Sequence, residues 1–445
     1  MKIKLSDHFG YRKLIRFTMP SIIMMIFCSV YGVVDGIFVS NFINDDGVSF
    51  TAVNLIMPML MLFSAVGFMI GTGGSALVSK IMGQGELKKA NGIFSMLVYV
   101  SIVLGIFFSV LGIVILKPVS IFLGAEGKTL EACLNYGYIL IPSLTFFLLQ
   151  NVFQSFSVAA ERPKLGLVVM LSTGITNIVL DALFIIVFKW GIVGAAVATM
   201  IAQIVGGVVP LIYFISKNTS LLRLGKPLFS KGALLKSCTN GSSEFLTNVA
   251  LSFINILYNF QLMRLLQNNH GVEANGVINY AGFVFVSVIL GFAIGVAPII
   301  SFHYGAGDTD ELKALFRKCL RIIFVLNITL FIATLVCAYP IAYIFVGRNS
   351  FVFELALRGF IYYAFMFLFV GFNIFASAFF TALNDGLTSA IISTTRTLVL
   401  PVIGIFILPT FMGVDGIFVC AAVTEALGLG LSIFYFIKMR KKFNY

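Results

Sequence analysis

The sequence predicts an all-α polytopic membrane protein. Its twelve transmembrane helices form two six-helix bundles related by a pseudo-twofold axis along the membrane normal. Three observations lead there. Of the 445 residues, 59% are hydrophobic and 11% charged, where a soluble domain has about 25% charged. The apolar residues gather in runs long enough for the roughly 20 residues that cross a bilayer. Finally, the chain repeats itself at a spacing of 222 residues.

The runs follow in order, and the basic residues between them set their limits. The first, 14–42, follows Lys2, Lys4, Arg12, Lys13 and Arg16; it is too long for the apolar stretch of a cleavable signal. The second and third, 50–79 and 92–116, flank Lys80, Lys88 and Lys89. Lys117 and Lys128 separate the third from the fourth, 130–156. Arg162 and Lys164 precede the fifth, 165–188, and Lys189 precedes the sixth, 191–216. A polar, basic segment, 217–233, leads to the seventh, 234–263. Arg264 lies between the seventh and the eighth, 274–302. The ninth, 316–340, begins around Lys313, Arg317, Lys318 and Arg321. Arg348 and Arg358 mark the entry to the tenth, 354–382. The eleventh and twelfth, 387–409 and 413–437, end at Lys438, Arg440, Lys441 and Lys442.

With the amino terminus inside, twenty-three Lys and Arg fall on inner segments and six on outer ones. Cytoplasmic loops carry the excess of basic residues, so both termini are expected in the cytoplasm. The same rule accounts for the net charge of +12 without nucleic acid as a partner. Cys28, Cys133, Cys238, Cys319, Cys337 and Cys420 are scattered through apolar runs and read as small core residues. His8, His270 and His303 are too dispersed for a zinc site. This composition excludes a soluble enzyme, a disordered regulator and a secreted disulfide scaffold, and no catalytic constellation or cofactor motif is present. The segment GTGGSA at 71–76 lacks a phosphate-loop ending and reads as a helix-packing stripe.

The repeat is read from three places. Asn151, Phe153, Ser155 and Ala160 recur as Asn373, Phe375, Ser377 and Ala382; Gly191-Ile192-Val193-Gly194 recurs as Gly413-Val414-Asp415-Gly416; Gly83 and Gly85 recur as Gly305 and Gly307. Six spans per copy give both copies the same orientation, as in transporters whose two halves rock about a central cleft. The expected division is 1–216, a cytoplasmic linker 217–233, and 234–445.

An acid at mid-bilayer costs about 2.5–3.5 kcal/mol, so such residues point to function. Asp35, Asp181, Glu244 and Glu425 fall inside spans, as does Arg396. At about 1.5 Å per residue, Asp35 and Asp181 lie roughly 27 Å and 26 Å along their helices from the cytoplasmic side. Asn177 shares a helix face with Asp181, and Thr199 reaches a similar depth. Two carboxylates in a dry site share a proton or hold a sodium ion between them, so these four residues are expected to be the coupling site. The repeat-mates of the two acids fall near Ile256 and Ile403, so the pair is not duplicated. In the second copy, Arg396 and Glu425 lie near the midplane, open either to an ion pair or to a role in attracting a cationic substrate. Glu244, with no basic partner apparent, is expected to face the substrate cavity. Pro20, fifteen residues before Asp35, permits a kink in the first span. Met24, Met25 and the stretch Met57–Leu62 form methionine-rich faces of the kind that adapt to varied ligands.

Several segments resemble the multidrug and toxic compound extrusion (MATE) family, closest to its MepA-like bacterial branch. They are VDGIFVSNFI in span 1, GFMIGTGGSALVSKIMG in span 2 and AAERPKLGL–GITNIVLD across spans 4 and 5. The resemblance covers essentially the whole chain. It implies export of amphipathic organic cations from a bacterial plasma membrane by antiport against H+ or Na+. It also implies that Asp35, Asn177, Asp181 and Thr199 form the cation site, Pro20 the kink, and Asn151 part of the polar lining. Gln154 stands where an Asn is common. The tenth span has no mid-span acid and Glu244 comes early in the seventh, so no second sodium site is expected. No cofactor is expected, the partners are the exported molecules and membrane lipid, and the chain is expected to act as a monomer. The alternative reading is a flippase for lipid-linked sugars, whose cavity would need more cations than Arg396 alone.

Overall fold

The computed structural model describes residues 3–43, 45, 47–267, 270–347 and 351–445. Lys2 and Arg348 of the charge pattern lie outside the described residues. Eleven helices among the described residues are long and apolar enough to cross a membrane, and one further pair of helices bends by 53° at a short break. With that pair taken as one span, there are twelve. The first bundle contains α1 (Tyr11–Phe42), α2 (Val48–Gly83), α3 (Leu87–Phe122), α4 (Gly127–Ala159), α5 (Pro163–Val187) and α6 (Gly191–Ile215). The second contains α7 (Lys231–Leu266), α8 (His270–Ala306), α9 (Thr309–Val346), α10 (Phe351–Ala364 with Phe367–Ala382), α11 (Gly386–Met412) and α12 (Val414–Phe443). The helices extend the apolar runs by a turn or so, because flanking polar residues satisfy the exposed helix ends: Ser230, Asp308 and Asp385 cap α7, α9 and α11.

The packing repeats with the sequence. Within the first bundle α1 packs on α5, α2 on α4, and α5 on α6; within the second α7 packs on α11, α8 on α10, and α11 on α12. Between the bundles α1 packs on α8 and α2 on α7, two contacts that the twofold exchanges, while the α2–α8 contact maps onto itself. The spans that deviate also correspond: a 3₁₀ turn interrupts α4 at Ile141–Ser143, and α10 bends between Ala364 and Phe367.

The duplicated glycines have two physical jobs. Gly85 and Gly307 adopt φ of 83° and 72°, a left-handed turn that ends α2 and α8. Gly83 and Gly305 bring backbones together: a Cβ on Gly83 would lie 2.1 Å from the Phe302 carbonyl oxygen, and one on Gly305 would lie 2.0 Å from that of Lys80. Lys80 and Phe302 are themselves repeat-mates. The axis therefore passes between these two helix ends. In GTGGSA, Gly73 abuts the backbone of Ser237 and Gly241 across the bundle interface, which is the close-packing role expected of the stripe.

The face that carries both termini is tied by an amino-terminal strap. Leu5 and Phe9 are fully buried. The Leu5 amide donates to Glu161 Oε1 of the first bundle at 2.8 Å, and the Phe9 amide donates to Glu311 Oε1 of the second at 2.9 Å. Lys318 donates to the Phe9 carbonyl, and His8 pairs with Glu311.

Candidate functional site

The first bundle brings together the four residues expected to share a layer. Asp35 comes from α1, Asn177 and Asp181 from successive turns of α5, and Thr199 from α6. Asp181 is fully buried and Asn177 nearly so. The Asn177 amide donates to Thr199 Oγ1 at 3.4 Å, and the Asp35 carboxyl neighbours Asp181 and Asn177. Both carboxylate oxygens of Asp181, Oδ1 of Asp35 and Oδ1 of Asn177 are buried without a hydrogen-bond partner. Unmet acceptors in a dry interior are costly. Four unmet oxygens on neighbouring buried side chains are groups that a proton or a small cation would satisfy. Immediately after Asp181 the helix widens into a π-helical stretch, Ala182–Val187, a feature common at functional sites. Two tyrosines complete the surroundings. Tyr136 of α4, fully buried, lies near Thr199 and the two acids, and Tyr31 sits one turn before Asp35. Sequence reasoning missed both. The i,i+4 spacing of Tyr31 and Asp35 was the available signal for one; nothing in the sequence brings Tyr136 to the acids.

The second bundle holds a different cluster. Arg396 Nη1 meets Glu425 Oε1 at 2.8 Å, with both side chains buried. Asn373 Nδ2 donates to Glu425 Oε2 at 2.7 Å and to its backbone carbonyl at 2.8 Å, and Ser432 Oγ donates to Asn373 Oδ1 at 2.8 Å. Glu244, on α7, is partly buried and forms no ion pair among the described residues. Arg396 also lies on a π-helical stretch, Thr395–Val399. Asn373, noticed only as the repeat-mate of Asn151, proves to be the residue that orients Glu425.

The remaining expected residues lie apart from both clusters. Asn151 is buried against α2, its amide 3.5 Å from the Ser64 carbonyl. Gln154 donates to Met25 Sδ at 2.9 Å inside the first bundle, and Met24 and Met25 are buried there too. Pro20 lies buried within an uninterrupted α1, and its neighbours Ser21 and Ile22 touch α8 at Gly291.

This fold and these clusters define a two-bundle membrane transporter scaffold. The sequence pattern of the MatE family matches residues 20–183 and again 245–407, so the chain belongs to that family, and the double match follows the internal duplication. The multidrug export protein MepA of Staphylococcus haemolyticus (strain JCSC1435) is 25% identical over 446 residues, covering 97% of this chain and 94% of that protein. MepA of Staphylococcus aureus (strain N315) is 23% identical over 429 residues, covering 94% and 91%. Among solved structures, MATE in complex with MaL6 matches with a TM-score of 0.90 at 20% identity, covering 98% of each chain. The outward-facing conformation of a multidrug resistance MATE family transporter matches with a TM-score of 0.89 at 21% identity and the same coverage.

Proposed function

We propose that the chain is a multidrug efflux transporter of a bacterial plasma membrane, with both termini in the cytoplasm. It exports amphipathic organic cations by antiport against protons or sodium. The observation that carries this reading is the set of unpartnered buried oxygens of Asp35, Asn177 and Asp181. The coupling ion enters from outside and settles among them, with Thr199 behind Asn177. Its charge removes the repulsion between the two carboxylates, α1 repacks about Pro20, and the bundles exchange their closed side, which lowers the affinity for substrate. The close approaches at Gly83 and Gly305 fit the state closed toward the cytoplasm. Glu244 faces the cavity and attracts the cationic substrate, with Arg396 and Glu425 behind it and Asn151 and Gln154 shaping the first bundle. A lipid-linked sugar flippase is the weaker reading, because Arg396 is already engaged by Glu425 and cannot greet a pyrophosphate.

The test is transport of a fluorescent organic cation by purified protein in liposomes, with proton and sodium gradients imposed in turn. The expected result is transport driven by one gradient and lost in Asp35→Asn. Undiminished transport in that variant would remove the coupling role of the four residues. Absence of transport under both gradients would turn attention to a lipid substrate.

A further inference from the structure

The segment between the bundles is stapled along the outside of α3. The Arg223 amide donates to Asn91 Oδ1 at 2.7 Å, the Gly225 amide to Ser95 Oγ at 3.0 Å, and the Leu228 amide to the Gly92 carbonyl at 3.0 Å. Between the segment and the helix lies a cavity of about 290 Å³, walled by Lys88, Arg223 and Lys226 with the polar side chains of Asn91 and Ser95. Among the described residues none of the three cations pairs with a carboxylate, and the neighbouring acid Glu86 is already paired with Lys89 at 2.8 Å.

The cavity does not open only to water. Beyond the cavity α3 exposes Tyr99, Val103, Phe107, Val110 and Val114, a strip at three- and four-residue spacing that winds round the helix from the cavity's edge. All five are exposed, Val103 at 65% and Val114 at 70%. Beside the cavity, Leu228 and Phe229 are exposed at 46% and 76%. A positive pocket thus lies beside apolar surface on α3 and on the linking segment.

We propose that this is a binding site for one anionic phospholipid of the cytoplasmic leaflet. The phosphate sits among Lys88, Arg223 and Lys226, and an acyl chain lies along α3. Cations that meet no carboxylate attract anionic headgroups additively at the membrane surface, the Arg223 guanidinium being held in place by a hydrogen bond to the Asn218 carbonyl, and the apolar strip supplies what a free phosphate could not use. Because the segment that closes the cavity also joins the two bundles, the bound lipid braces the one covalent link between the moving halves. The inference needs the termini face to be cytoplasmic but does not depend on which solute is exported.

The experiment is native mass spectrometry of the full chain in detergent, titrated with phosphatidylglycerol, phosphatidylcholine and inorganic phosphate. Three proteins are compared: wild type; Lys88→Gln/Arg223→Gln/Lys226→Gln; and Lys164→Gln/Lys313→Gln/Lys441→Gln, which removes the same charge elsewhere on that face. Wild type is expected to retain one phosphatidylglycerol in preference to phosphatidylcholine. The first triple variant should lose at least about tenfold in that affinity, and the second should bind as wild type does. Equal losses in both variants would overturn the site in favour of a general surface field, and equal binding of the two lipids would overturn the headgroup assignment. Displacement of the lipid by stoichiometric phosphate would make it a free-anion site and overturn the lipid. A Lys226→Cys variant, which leaves the other two cations in place, is expected to react with a maleimide several-fold more slowly in phosphatidylglycerol than in phosphatidylcholine. Equal rates would count against the proposal even if the triple variant failed to fold.

Discussion

The two bundles solve the same electrostatic problem in opposite ways. Among the described residues the first gathers Asp35 and Asp181 without an ion-pair partner for either; the second carries its own cation, Arg396, bound to Glu425. A buried acid with a resident arginine is already neutralised and has little use for an ion from solution, whereas a pair of acids without one depends on a visitor. The repeat shows how the difference is kept. The repeat-mate of Arg396 is Gly174, where even a Cβ would lie 2.4 Å from the Phe27 ring, so the first bundle has no room for a cation of its own. The repeat-mate of Glu425 is Gln203, which accepts a hydrogen bond from Ser143 at 2.6 Å and carries no charge. Duplication followed by divergence has left a symmetric frame with an asymmetric charge pattern, and under the proposed function that asymmetry would make the first bundle the coupling half.

The sharpest way to break this contrast is to neutralise the visitor's site. Asp35→Asn with Asp181→Asn is expected to reduce gradient-driven export in liposomes to the level of protein-free vesicles; retained coupling would place the ion in the second bundle. Next comes removal of the resident cation. Arg396→Met leaves Glu425 buried and unpaired, at a cost of about 3–5 kcal/mol, and should lower the thermal unfolding midpoint in detergent markedly. Adding Glu425→Gln should restore most of that loss, since a neutral pair needs no ion. A midpoint unchanged by Arg396→Met would mean that the two clusters are alike after all. Gly174→Ala probes the steric exclusion: forcing one carbon against Phe27 should destabilise the protein by about 1–3 kcal/mol, measured in the same way. The smallest effect is expected for Ser432→Ala, which removes one hydrogen bond to Asn373 worth about 1 kcal/mol and should leave coupling untouched.

Much of this was legible before any coordinates. Hydropathy gives the spans because a bilayer leaves the backbone no alternative to the helix, and the glycine pairs at 83/305 and 85/307 announced a duplicated turn and contact. The layer of Asp35, Asn177, Asp181 and Thr199 followed from depth alone, since straight helices convert residue count into height. Rotation about the helix axis and the packing of distant spans are harder to read from one sequence. That is why Tyr136 escaped notice. The resemblance that named Asn151 and Gln154 did not tell which neighbour each would face: α2 for Asn151, and Met25 of α1 for Gln154.

The strap across the termini face sets a mechanical limit. Between the amides of Leu5 and Phe9, held by Glu161 on one bundle and Glu311 on the other, there are four residues, which span at most about 14 Å when fully extended. While both grips hold, the chain acts as a leash. The two glutamates can draw apart only until the slack in this short segment is used up, whatever the helices beneath would otherwise allow. Any wider gape on that side requires one carboxylate to let go. The width of the mouth on the termini face is then governed by the short segment from Leu5 to Phe9, which lies outside every transmembrane helix.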